Sequence, residues 1–504
     1  MKHEPEKSDP GVVALKLTNK PDRLGAESVE RRPGTAGNAG ENHTYRTQCR
    51  GSVPQDLNRV RERARANKKE RFTALMHHVT VELLRWAYFR LARDVAAGED
   101  GQTWAQYGEQ LDEKLIALHE RVHRGSYRPQ PSRRVYIAKE SGGMRPLGVA
   151  SVEDKIVQRA MVEILNAIYE VDFRSFSYGF RPGRSQHQAL DALAAGIKWT
   201  KVGWILDLDV EKFFDRVSHS WLIRFLGHRI ADPRVIRLIR KWLKAGVMED
   251  NVWQATEVGT PQGAVISPLL ANAYLHYTFD LWAERWRHCT ARGNMIMVRY
   301  ADDLVVGFQY ERQARRFLSD LRKRFGQFAL SLHPTKTRLI HFGRFAAEDR
   351  KRAGLGKPET FLFLGFRHIC TRTQEGWFQL RRITRQDRMR TRLKALRAEL
   401  KQRRHQPVAV QGEWLRRVVT GFFAYHAVPT NGHSLSSFRR QVILSWRSTL
   451  RRRSQKDRMT WARMTRLIDR WLPRSRILHP WPEARFLVRY PKWEPSARIA
   501  HARI

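Results

Sequence analysis

The chain has 504 residues, too many for one hydrophobic core, so two or three domains are expected. Lys and Arg number 93 against 50 Asp and Glu, a formal net charge of +43 that repels itself unless a polyanion neutralises it, so nucleic acid is the expected partner and an anionic membrane surface the weaker alternative. Cys49, Cys289 and Cys370 are few, odd in number and scattered, which excludes a disulfide scaffold and a cysteine-rich zinc module. With no apolar run of about 18 residues and no signal-peptide core near Met1, no membrane partner and a cytoplasmic location are expected.

Residues 1–66 are polar, rich in Gly, Pro, Asn and Arg, without periodicity, and read as a largely disordered extension. From Asn67 to about Leu91, apolar residues recur at three- and four-residue steps and predict a helix. A second amphipathic helix runs through Tyr107, Leu111, Leu115, Leu118 and Val122 and ends near Gly125. From Arg133 to about Phe366 short strands alternate with helices. The strands are Arg134–Ile137, Trp204–Val210, Met295–Val298, Leu304–Phe308 and Phe361–Phe366, and residues 152–169 read as a helix. This mixture predicts an α+β fold with a largely antiparallel sheet. From Arg381 onward the chain holds 31 Lys and Arg against 7 Asp and Glu, with helical patterns to about Trp471. Trp414, Phe422, Phe423, Tyr425, Trp446 and Trp461 recur at helical spacing and read as core, while the arginines offer a phosphate-binding face. Pro473, Pro480, Pro482 and Pro491 break up the basic tail, residues 471–504.

Chemistry concentrates in carboxylates. Met295–Val306 contains two apolar strands joined by Tyr300-Ala301-Asp302-Asp303, which sets two acids at a hairpin tip. Adjacent carboxylates repel unless a cation holds them, and magnesium, a hard ion that takes oxygen ligands, suits them. In Trp204-Ile205-Leu206-Asp207-Leu208-Asp209-Val210 the two-residue period points Asp207 and Asp209 to one face. The two segments can therefore supply three carboxylates to one site holding two divalent ions about 3.5–4 Å apart.

Tyr300-Ala301-Asp302-Asp303 resembles the YxDD signature of reverse transcriptases, in the form usual in group II intron proteins, and Asp209-Val210-Glu211-Lys212-Phe213-Phe214-Asp215 resembles the family's first acidic motif. Gly259-Thr260-Pro261-Gln262-Gly263 with Ser267-Pro268 is similar to its PQG…SP motif, and Phe361–Phe366 to its primer-grip motif. Ser177-Tyr178-Gly179-Phe180-Arg181-Pro182-Gly183-Arg184-Ser185 resembles a template-side motif of intron-encoded enzymes. The likeness runs in order from about Asn67 to Phe366.

The resemblance implies a right-hand polymerase, with fingers and an antiparallel palm over residues 67–375, a helical thumb and maturase domain over 376–470, and the tail after it. It selects Asp209 over Asp207 to join Asp302 and Asp303 as catalytic residues. The same three, with Val210, would bind two Mg2+ ions, for which Mn2+ can substitute. It implies that Lys139, Arg145, Phe214, Gln262 and Lys336 bind the nucleotide, with Phe214 against the sugar, and that Leu364 and Gly365 grip the primer. Asp215 is expected to cap or pair locally. The implied partners are a group II intron RNA, an RNA template with a DNA primer, dNTPs and target DNA, and a homodimer is compatible with this reading. The absence of paired cysteines after the helices resembles the endonuclease-lacking type, in which the primer end is made elsewhere. Competing readings are a splicing factor with an idle polymerase site and a reverse transcriptase domesticated for host defence.

Overall fold

The computed structural model describes residues 57–138, 143–249, 252–260, 262–453 and 459–489. Eleven strands occur among them: β1 (Ser132–Ala138), β2 (Met144–Val149), β3 (Trp204–Asp209), β4 (Val247–Glu249), β5 (Val252–Gln254), β6 (Met295–Tyr300), β7 (Asp303–Phe308), β8 (Arg338–His341), β9 (Phe361–Phe363), β10 (Phe366–Arg372) and β11 (Phe378–Thr384). They form three sheets, ordered β2-β1-β4-β5, β6-β7-β3-β8 and β11-β10-β9. Every pairing is antiparallel except β1 with β4. The expected mixed α/β content and antiparallel sheets are present.

The sheet β6-β7-β3-β8 organises the molecule because both of its faces are covered. Leu206, Leu208, Leu304 and Val306 enter one core, whose floor is the helix Val152–Asp172. Ile205, Val298, Val305 and Ile340 enter a second core beneath the helix Gln186–Trp199. Strands buried on both faces read as nearly continuous apolar runs, which leaves polar residues only where a core opens. Each covering helix starts on a serine cap: Ser151 accepts from the Asp154 amide, and Ser185 forms a capping box with Gln188.

The helices Gln386–Gln402, Val408–His426, Gly432–Arg451 and Trp461–Trp471 enclose a third core that includes Leu400, Leu415, Phe438 and Trp446. Phe422, Phe423 and Trp446 are core residues as expected, whereas Trp461 is half exposed and lies under the Arg447 guanidinium. Trp446 donates its indole N–H to Gln411 Oε1 at 3.0 Å, and the Gln411 amide donates to the carbonyls of Arg403, Arg404 and Gln406. One buried polar side chain thus ties the tryptophan to the turn between two helices.

Five elements differ from expectation. The helix Asn58–Ala66 lies in the stretch read as disordered; its only buried side chains, Val60 and Ala64, are four apart, too weak a pattern to stand out. The helix expected from Asn67 begins only at Val81, because Asp232 caps the Leu75 and Met76 amides and holds the preceding chain irregular. Phe361–Phe366 is two strands joined by a turn rather than one strand. β11 extends to Thr384, so the division drawn at residues 375/376 falls in the turn of the hairpin β10–β11. The proline-containing tail carries the helix Pro482–Arg489, with proline at its first position, where a missing N–H costs nothing. Arg485 from that helix and Arg382 from β11 both pair with the buried Asp191. Residues 1–56 and residues 139–142 between β1 and β2, with Lys139, lie outside the described residues. No described helix is long and apolar enough to cross a membrane.

Replacing Trp446 by Ala empties the centre of the third core and leaves the Gln411 carbonyl without its donor. A loss of about 3–5 kcal/mol is expected for this helical unit, read from the denaturant midpoint of a fluorescence probe placed within it. An unchanged midpoint would refute this account of the core.

Candidate active site

The Tyr300-to-Asp303 connection is the tightest available: Tyr300 pairs with Asp303 across β6 and β7, which leaves Ala301 and Asp302 as a two-residue turn. Ala301 takes the left-handed backbone conformation, φ 56°, which costs a non-glycine residue about 1–2 kcal/mol. On the other side of β7, Asp303 pairs directly with Asp209 of β3. Residues directly opposite in an antiparallel pair lie about 4.5–5.5 Å apart at Cα and share a face, so the two distant acid segments meet. Asp207, two residues earlier on that face, pairs with Arg338 of β8.

Burial raises three of the acids, with charge from their neighbours adding to it. The surrounding protein mass, then the charges of Asp302, Asp209 and Asp207, push the Asp303 carboxyl up to about 7, although its outer edge is exposed. Asp302 is also raised, by desolvation first, with Arg145 opposing. Burial lifts Asp207 to about 6, against the pull of Arg338. Crowded carboxylates at an exposed sheet end attract a cation, and Lys336 Nζ supplies one, 3.4 Å from Asp209 Oδ2. Val210 follows Asp209 and bridges to Leu332; its side chain is buried, so only its carbonyl could serve a metal. Among the described residues no group of three or more His, Cys, Asp or Glu side chains could hold a metal alone. An all-oxygen set of a few carboxylates and a carbonyl still fits magnesium, which keeps several waters and completes its shell with substrate phosphates rather than with a protein cage.

Two of the residues expected around the nucleotide, Arg145 and Gln262, form a chain of contacts with Asp215. Arg145 Nε donates to Gln262 Oε1 at 2.8 Å, and Gln262 Nε2 donates to Asp215 Oδ1 at 2.9 Å. Asp215, expected to pair only locally, thus links the turn after β3 to the Gln262 loop and to β2. Gly263, φ +117°, lies where a Cβ would come 2.5 Å from the Gly148 carbonyl, so its missing side chain admits the neighbouring hairpin. Phe214 is half-buried and meets the buried Phe213 edge to face.

The Leu364-Gly365 turn between β9 and β10 is left-handed at both residues, φ 44° and 79°, and the helix Val408–His426 braces it: Tyr425 Oη donates to the Leu364 carbonyl at 2.8 Å. The stretch Ser177–Ser185 has a role that sequence reasoning missed. Ser177 bridges to Arg299, and a Cβ on Gly179 would come 2.3 Å from the Ala301 amide nitrogen. Sequence reasoning also missed Asn272, Asp280 and Arg299, all buried beneath the turn. The available signal was polarity inside apolar runs: Asn272 and Asp280 interrupt Leu269–Leu281, and Arg299 interrupts β6.

Residues 137–368 match the family model of the reverse transcriptase (RNA-dependent DNA polymerase). Protein YkfC of Escherichia coli is 33% identical over 311 residues, which covers 55% of this chain and 77% of that protein. The group II intron-encoded protein LtrA of Lactococcus lactis is 37% identical over 222 residues, covering 44% of this chain and 37% of LtrA. A 91 kDa protein in the cob intron of Schizosaccharomyces pombe is 47% identical over 146 residues, 29% of this chain and 18% of that protein. The present chain therefore aligns with only part of the two intron proteins, but with most of YkfC. Carboxylates paired across β3 and β7, the matched family model and these relatives agree: the chain belongs to the group II intron reverse transcriptase/maturase family.

Proposed function

We propose that the chain copies RNA into DNA from a primer 3′-hydroxyl, and that it binds a group II intron RNA, aiding its splicing and its movement into target DNA. The observation that carries this reading is the pairing of Asp209 with Asp303 beside Asp302 at the hairpin tip. Asp209, Asp302, Asp303 and the Val210 carbonyl hold two divalent cations, Mg2+ with Mn2+ as a substitute. Bound there, the cations lower the pKa of the attacking hydroxyl and neutralise the leaving pyrophosphate.

In this reading the β1–β2 hairpin acts as fingers, the sheet β6-β7-β3-β8 as palm, and the helices from Gln386 onward as a thumb and RNA-binding unit. Arg145, joined by Lys139, moves from Gln262 to the triphosphate, whose charge needs cations beyond the metals. Gln262, released, contacts the incoming dNTP. Lys336 exchanges its contact with Asp209 for the phosphates. The Phe214 ring excludes a ribose 2′-hydroxyl. Leu364 and Gly365 present backbone to the primer terminus. Arg388, Arg390, Arg392 and Lys394 are exposed along one helix and bind phosphates of the template–primer duplex and of the intron RNA. The intron RNA performs the splicing chemistry, and the protein stabilises its active shape by binding that shape preferentially.

Primer extension on an RNA template with dNTPs and Mg2+ tests the proposal. Product is expected from the unaltered chain, and Asp302→Ala should lose about 10³-fold or more while keeping its RNA affinity. An unaltered chain that binds RNA but extends no primer would sink the polymerase reading and favour the splicing factor with an idle site. Phe214→Ala should raise ribonucleotide incorporation relative to deoxyribonucleotide, measured by competition on the same template, and an unchanged ratio removes Phe214 from sugar selection. The combined change Arg390→Ala and Lys394→Ala should weaken RNA binding across sequences and flatten the plot of log affinity against log salt by about 1.4–1.8 units. An unaltered slope would mean that this face does not carry the RNA.

A further inference from the structure

The turn that carries Asp302 and Asp303 adopts a backbone its sequence disfavours, so something around it must enforce that shape. Four buried or tightly packed groups close a ring beneath it. Arg299 NH1 donates to the Ala301 carbonyl at 3.2 Å and to Asn272 Oδ1 at 2.8 Å. Asn272 Nδ2 donates to the Gly179 carbonyl at 2.8 Å, and Gly179 sits against the Ala301 amide so closely that it has no room for a Cβ. The left-handed residue is therefore held at its carbonyl by one arm of the ring and at its nitrogen by the other. Asp280 completes the arrangement, its two oxygens taking Arg299 Nε at 2.8 Å and NH2 at 2.6 Å.

The helix that supplies Asn272 and Asp280 is shaped for this task. Residues eight apart on a regular helix point about 80° away from each other. Here the wider turn of a π-helix, His276–Asp280, follows the helix Ser267–Leu275 and turns the chain back through part of that angle. Both side chains thereby reach one guanidinium. Such π-helical turns are frequent at functional sites. A core that needed only stability would gain as much from apolar residues, since a fully buried ion pair brings a desolvation cost close to its attraction. Arg299 and Asp280 are both 0% exposed, yet the guanidinium's remaining arm goes to the turn that bears the acids.

We propose that Arg299, oriented by Asp280 and Asn272, is the positioning residue of the acidic turn: it fixes Ala301 and with it the spacing of Asp302 and Asp303 from Asp209. This rests on the polymerase reading for its effect on rate, but not for its effect on metal binding. Two variants test it. Arg299→Lys keeps the charge but loses the planar fork that reaches Asp280 and Ala301 together. The paired change Arg299→Met with Asp280→Leu removes both charges and fills the space with apolar side chains, so the fold is retained while the donor to Ala301 is lost.

Both variants should lower kcat in primer extension by about 10²-fold, the scale of an ångström's misplacement. The KM for dNTP and the RNA affinity should stay within about twofold, and the paired variant should melt near the unaltered temperature. Titration with Mn2+ alone, followed by the loss of its free-ion electron paramagnetic resonance signal, should show affinity weakened about 10–100-fold, as when groups that orient metal ligands are removed. A folded paired variant with unaltered kcat and unaltered Mn2+ affinity overturns the proposal and makes the network structural only. If the unaltered chain extends no primer, the polymerase reading fails, and the Mn2+ titration still decides whether the ring positions the carboxylates.

Discussion

The register of β3 against β7 is the constraint on which the site depends. Asp209 opposes Asp303 because Trp204 opposes Phe308 and each intervening pair follows in step. A slip of one residue would turn every side chain of β3 to the other face, carrying Asp209 away from the hairpin tip and burying Asp207 among Leu206's present neighbours. That slip is blocked from both sides: Leu206 and Leu208 are committed to one core, Ile205 to the other, and β8 fixes the free edge through Ile205–Ile340 and its neighbours. The apolar residues of the strand therefore set where its acids go.

Much of this was legible in the sequence, for a physical reason. The strands β3, β6 and β7 are short and largely apolar, so their approximate limits and the hairpin-tip place of Asp302 and Asp303 could be read from pattern, while the choice of Asp209 over Asp207 came from the motif resemblance. The stretch expected to grip the primer was legible in composition but not in shape: nothing in Phe361–Phe366 says that Leu364 adopts φ 44°, a conformation braced by Tyr425, about sixty residues away. The helix Asn58–Ala66 escaped notice because it buries only two side chains and owes its stability to the helix it packs against. The ring under the turn draws on residues 179, 272, 280 and 299. Its members are adjacent only in the fold, and a buried polar residue in an apolar run tells a reader that it has a partner, not which partner. Ser177–Ser185 was singled out by its motif, but its contact with Ala301 appears only in three dimensions.

Charge is distributed to match. A chain at +43 carries a small cluster of carboxylates at its hairpin tip. Arg145 reaches the field of Asp302 from β2, and Arg388 that of Asp303 from the first helix of the third core. The acids are thus surrounded by cations on several independent elements. A polyanion entering between them would find positive charge on both sides and carboxylates only at the centre, where bound cations would reverse the sign.

The ion pairs of the site fall into two kinds that do opposite work. Lys336 with Asp209 is exposed, 60% and 38% at the side chains, and such pairs contribute only about 0–1 kcal/mol. The Arg145–Gln262–Asp215 chain is exposed as well. These contacts are cheap to exchange. Arg299 with Asp280 is fully buried, and removing one member of such a pair typically costs about 3–5 kcal/mol. Desolvation by burial pushes the Asp280 carboxyl up, but the attraction of Arg299, supported by His276, outweighs it and holds the carboxyl below its ordinary range. A contact of that kind does not open when substrate arrives, so it can preserve a geometry through every cycle. A site that must release one set of charges and keep another fixed needs both, the first at the surface and the second beneath it, and the turn at Ala301 lies where they meet.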